Sequence, residues 1–161
     1  MKSLKIKIQE GLKVSSKSKF GSNYNYFPNT KDGLKNLVKQ LIKERGNEAD
    51  LNDIDTSKIT DMSYLFNCKG LTNFDGNISK WDVSNVTNMY LMFAVSKYSG
   101  KNGDISNWDV RNVENFDLMF TWAEYFDCNL NNWKVNKNAS MESMFDNSPL
   151  EKNPPKWYKN K

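Results

Sequence analysis

The stretch ISKWDVSNVTNMYLMF, residues 78–93, changes its apolar period halfway along. Ile78, Trp81 and Val83 are spaced by three and two, whereas Met89, Met92 and Phe93 are spaced by three and one. Neither a plain amphipathic helix nor a plain half-buried strand produces that mixture. The chain also repeats it. LNDIDTSKITDMSYLF (51–66), ISNWDVRNVENFDLMF (105–120) and LNNWKVNKNASMESMF (130–145) align with it without gaps, and the four copies start 27, 27 and 25 residues apart.

Reading down the aligned copies separates the roles of the positions. The fourth column is Ile54, Trp81, Trp108, Trp133, and the sixth is Thr56, Val83, Val110, Val135. Met62, Met89, Phe116 and Met141 fill the twelfth column, and Phe66, Phe93, Phe120 and Phe145 the last. The ninth holds Ile59, Val86 and Val113 until Asn138 breaks it, while the intervening positions are mostly Asn, Asp, Ser, Lys and Thr. This is a core pattern. The x-W-D-V segment alternates at period two, as a short strand does, and M-x-x-M-F places residues at i, i+3 and i+4, one face of a helical turn. Between them Asp61, Asn88, Asn115 and Ser140 are all helix N-cap types. Each unit therefore predicts a strand, a corner, a capped helical turn and a return loop. One unit cannot bury its apolar side alone, but stacked copies can. The fold class expected is an α/β repeat, a solenoid of four strand-plus-helical-turn coils over residues 51–146.

The flanks read as caps. Leu34, Leu37, Val38, Leu41 and Ile42 sit at amphipathic helix spacing within 29–46, with Asn29 or Thr30 as N-cap and Gly46 as stop, so residues 29–50 predict an N-terminal capping helix. Residues 147–161 predict a Pro-stiffened cap or tail in which Trp157 and Tyr158 pack over the last coil. Residues 1–28 form a basic N-terminal arm whose Leu4, Ile6, Ile8 and Leu12 suit helix or strand.

Composition removes several function classes. The 161-residue chain has no His, which excludes Ser–His and Cys–His nucleophile arrangements and the commonest metal ligand. The net charge of +4 is unevenly placed. Residues 1–50 carry 11 basic and 5 acidic side chains, residues 51–146 carry 8 and 13, and residues 147–161 carry 4 and 1. An acidic body between basic ends argues against a nucleic-acid surface. No stretch approaches the ~20 apolar residues of a membrane span, and the start, MKSLKIKIQEGLKV, lacks the apolar block of a secretory signal. The expectation is a cytoplasmic protein. Cys68 and Cys128 fall at different repeat positions about two coils apart, roughly 10 Å of stacking, beyond the ~7 Å reach of a disulfide. They are expected to be free thiols.

The segments GNISKWDVSNVTNMYLMF and GDISNWDVRNVENFDLMF resemble the BspA-like leucine-rich-type repeats of mycoplasma surface lipoproteins, gut-bacterial proteins and some phage and prophage genes. The resemblance covers about residues 30–158. It implies a right-handed leucine-rich-repeat-like solenoid and a protein-binding or adhesive role, with no catalytic residues and no cofactor. One departure is that Lys101 stands where other copies hold Phe74 and Phe126.

Candidate site residues fall into two groups. The Asp column (Asp55, Asp82, Asp109), with the variable Ser84 and Arg111 beside it, reads either as backbone-capping Asp at corners or as an acidic stripe for a basic partner. These carboxylates recur singly, which argues against a metal site. In the return loop TWAEYFDCN, Trp122 and Tyr125 are candidate interface anchors. The function expected is a non-enzymatic protein–protein interaction module, encoded by a phage or other mobile element, that binds and blocks a host protein such as a defence component. The alternative is a surface adhesin or lipoprotein-type repeat fragment binding host protein or glycan.

Overall fold

A computed structural model describes residues 24–158, and the basic arm lies outside the described residues except for its last five positions. The four repeats stack in parallel. Isolated bridges run along the column Asp61, Asn88, Asn115 and Ser140, and others pair Tyr26 with Ile54 and Asp50 with Asn77.

The expected α/β solenoid of strand-plus-helical-turn coils is not what the chain forms. Among the described residues there is no sheet, only isolated bridges, and helix is confined to α1 (Lys31–Arg45) and α2 (Pro149–Lys152). The reason lies in the backbone of each repeat. Where M-x-x-M-F was expected to make a helical turn, four-residue turns close from Met62 to Leu65, Met89 to Met92, Phe116 to Met119 and Met141 to Met144. Their third residues, Tyr64, Leu91, Leu118 and Ser143, have φ between 51° and 59°, the signature of a type II turn rather than a helix. The alternate N–H groups of this segment are committed across the stack. Met62, Tyr64 and Phe66 donate to the carbonyls of Asn88, Tyr90 and Met92, and the next two repeats do the same at 2.8–3.1 Å. Asp61, Asn88 and Asn115 are accordingly not helix caps; each side-chain oxygen accepts the N–H two residues on. The x-W-D-V segment is no continuous strand either, because turns close from Ile78 to Trp81 and from Val83 to Val86 on each side of Asp82.

Every inward column nonetheless shares one core. The Phe column stacks face to face, with centroids 5.2, 5.5 and 5.8 Å apart and rings within 9° of parallel. Beside it runs a second aromatic column of Phe74, Tyr98 and Phe126, spaced 6.2 and 6.3 Å. Tyr98 takes the place that a gap-free alignment gave to Lys101, and its hydroxyl donates to the Gly103 carbonyl. Lys101 itself is exposed. A similar slip occurs in repeat four, where Ala139, not Asn138, is buried and closes the corner turn onto Asn136. The indoles of Trp81, Trp108 and Trp133 donate to the carbonyls of Leu51, Ile78 and Ile105, one repeat back.

Both ends of the stack are covered. Helix α1 carries Thr30 as N-cap, its hydroxyl accepting the Gly33 N–H, and Gly46 as C-cap; it buries Leu34, Leu37, Val38, Leu41 and Ile42. At the other end Trp157 donates to the Leu130 carbonyl at 2.6 Å and stacks on Trp133 at 6.2 Å, extending the Trp column past the last repeat. No helix among the described residues is long and apolar enough to cross a membrane.

Candidate functional site

The Asp column is engaged inside its own repeats. Asp55 accepts the Ser57 N–H, Asp82 accepts both the N–H and hydroxyl of Ser84, and Asp109 binds the Arg111 backbone N–H and forks its guanidinium at 2.8 and 2.6 Å. The Arg111 contacts hold the Asp109 carboxyl below the usual carboxylate range and raise the guanidinium in turn. Each Asp thereby completes an Asx turn at its corner. Ser84 and Arg111 are the polar partners of those turns.

Trp122 and Tyr125 lie elsewhere, in an open groove they share with Val95, Ser96, Lys97 and Glu124. None of the Asp column, Ser84 or Arg111 lines it. Trp122 is 53% exposed, Tyr125 57% and Val95 59%, the highest values among the large apolar side chains described. The left-handed backbone of the M-x-x-M turns recurs here. Consecutive turns close from Phe93 to Ser96 and from Phe120 to Ala123, and their third residues, Val95 and Trp122, both sit at φ 56°. A non-glycine residue in this left-handed region is uncommon, and for a β-branched or bulky side chain it is a true outlier. The equivalent turn from Phe145 to Ser148 uses Asn147, a residue type that accepts the geometry readily. Two apolar residues therefore hold this left-handed conformation, shared with Tyr64, Leu91 and Leu118, while more than half exposed to solvent. Val95 has a sequence signal: continuing the repeat alignment two residues past the Phe column puts Val95, Trp122 and Asn147 in one outward column.

The M-x-x-M turns bear Tyr64, 40% exposed, against Tyr90 in an edge-on pair at 5.2 Å, with half-buried Leu91 and Leu118 in the following repeats.

Two other places hold reactive side chains. Lys31 Nζ donates to the Ser63 hydroxyl and to Asp61, at 3.3 Å from the carboxylate. Ser63 is buried and the ammonium is shared as a donor to both, so it ties α1 to the first repeat rather than activating a nucleophile. Cys68 and Cys128 are both free. Burial pushes the Cys128 thiol up to about 11, which keeps it out of the reactive thiolate form. No group of three or more His, Cys, Asp or Glu side chains suited to a metal ion occurs among the described residues.

A capped stack of repeats carrying an apolar groove on its outer face defines a repeat protein. The chain belongs to the family described as Mycoplasma protein of unknown function, DUF285, whose model matches residues 34–157. No curated protein and no solved structure matches the chain.

Proposed function

We propose that this is a non-catalytic protein-binding module that receives a partner protein on the face formed by Val95, Trp122 and Tyr125. The observation that carries the reading is the exposure of three large apolar side chains around one groove, two of them on backbone that would be relaxed by Asn or Gly. Buried aromatics are the usual anchors of protein interfaces, and loops on a packed scaffold can vary without disturbing the core. The resemblance of the W-D-V-S-N-V-T-N-M core to BspA-like repeats supports the same reading. So does the engagement of the Asp column within its own turns, which leaves the groove as the stronger candidate surface. Block of a host protein by a mobile-element product is the finer form of this proposal, tested by the identity of the partner.

The test compares the wild-type chain with a Trp122→Ala/Tyr125→Ala variant as bait. A protein retained by the wild type and confirmed as a purified binary complex should lose at least about tenfold in affinity with the variant. Circular dichroism should show the variant folded. A purified partner that binds both chains equally sinks the assignment of this face.

A further inference from the structure

The Trp122 side of the groove is built from acidic segments. Residues 112–133 contain Glu114, Asp117, Glu124 and Asp127 and no Lys or Arg, and residues 138–151 contain Glu142, Asp146 and Glu151 and again no Lys or Arg. The fold brings these two segments into adjacent layers of the stack. Trp122 donates its N–H to the Asp146 carbonyl at 2.9 Å, and Leu118 donates to the Glu142 carbonyl at 2.9 Å. Asn147, which follows Trp122 in the outward column, donates to the Glu151 carboxylate at 2.9 Å. Glu124 lines the groove itself, and Lys97 is the one basic side chain lining it.

The ion pairs of the described residues leave these carboxylates alone. They join Lys31 to Asp61, Arg45 to Asp53 and Arg111 to Asp109, and none uses any of the seven carboxylates of the two segments. A run of carboxylates without counter-charges costs the folded chain self-repulsion, and a cationic partner relieves it. The aromatic faces add to the same preference, since exposed Trp and Tyr rings attract Lys and Arg head groups. An anionic lipid surface or a nucleic acid would meet these layers with like charge. A wholly apolar partner would leave their carboxylates without compensation.

Building on the protein-binding reading above, we infer that the partner presents a Lys/Arg-rich segment with an apolar side chain among its cations, the apolar residue entering between Val95, Trp122 and Tyr125 and the cations facing Glu124, Glu142 and their neighbours. The complementary charges steer encounter and select the partner, while the aromatic contact holds it.

The test uses the full chain and two synthetic peptides with identical Leu and Trp positions, one with Lys and Arg at every polar position and the other with Asp and Glu. Fluorescence anisotropy should detect binding of the basic peptide only, weakening as salt is raised. Glu124→Lys with Glu142→Lys should weaken it at least about tenfold. Glu44→Lys with Glu48→Lys, a pair of exposed charges flanking the C-terminus of α1, should leave it within about twofold. Equal binding of both peptides, no binding of the basic one, or equal loss in the two double variants would overturn the inference. A salt-sensitive dimer of the full chain, dissolved by the groove reversals, would assign the face to a second copy and overturn the choice of a foreign partner. The two readings fail separately. If the purified partner is lost by the Trp122/Tyr125 variant but kept by the charge reversals, the groove stands and its charge selectivity falls.

Discussion

Val95 shows how much a single residue can conceal from a sequence reading. At φ 56° its Cβ is pressed toward the neighbouring carbonyl, a conformation that costs an L-residue roughly 1–2 kcal/mol, and branching at Cβ makes relief by rotation harder. Asn147 meets the same geometry in the last repeat at φ 57°. Val95→Asn should therefore stabilise the chain by about 1 kcal/mol, read as a higher urea midpoint at unchanged slope. The same variant should bind the partner less tightly, because it removes an apolar side chain that is 59% exposed and lines the groove. A variant that is no more stable than the wild type would show that the turn is not strained at this position. Stability gained and binding lost together are the pattern expected where strain is kept for function.

At the scale of the single repeat, the indole ladder is the device that a wrong substitution exposes. Trp81 is 3% exposed and its Nε1–H donates to the Leu51 carbonyl at 2.9 Å, an oxygen that also accepts the Ile54 N–H at 3.2 Å. Trp81→Phe leaves that carbonyl one bond rather than none, so the lost hydrogen bond costs about 1 kcal/mol. The unfilled volume beside Phe66, whose ring lies 6.1 Å away, brings the total to about 2–3 kcal/mol. Chemical denaturation would measure it, and a loss under about 0.5 kcal/mol would mean the pocket collapses around the smaller ring. The inward columns were legible because apolar types recur at one place in four copies. The local geometry was not, because spacings of three and four are shared by a helical turn and by a type II turn followed by an extended step. What separates them is where the N–H groups go, and partners one repeat away leave no local signal. The slips at Tyr98 and Ala139 have the same origin: packing selects the nearest side chain able to fill a column, not the one in strict register. The groove was half legible, since Trp122 and Tyr125 are aromatics in an irregular loop, whereas Val95 shows only when the repeat alignment is carried two residues past the Phe column.

For the molecule as a whole, the weak link under acid is the clasp between α1 and the first repeat. Arg45 donates to both carboxylate oxygens of Asp53 at 3.0 Å, and Lys31 reaches Asp61 at 3.3 Å. Burial works to raise both carboxyls, yet the hydrogen bonds from Arg45 and Asn25 on Asp53, and from Ser63 and Lys31 on Asp61, outweigh it and hold both below their ordinary value of 3.8. A depressed carboxyl takes up its proton less readily in the folded than in the unfolded chain. Its contribution is therefore complete above the ordinary value and disappears as the pH falls through the lower folded value. Stability should be flat from about pH 7 to about pH 5 and fall below about pH 4. Release of α1 would then uncover the side of the core that Leu34, Leu37, Val38, Leu41 and Ile42 cover. Asp53→Asn should be less stable than the wild type at neutral pH and should lose less on acidification, so the two urea midpoints converge as the pH drops. Parallel curves from neutral pH to about pH 3 would place the acid sensitivity outside this clasp. A stack of repeats held mainly by nearest-neighbour contacts is expected to open from whichever end loses its cap first, and in acid that end is the helical one, because the opposite cap is closed by the Trp157 indole and carries no ion pair among the described residues.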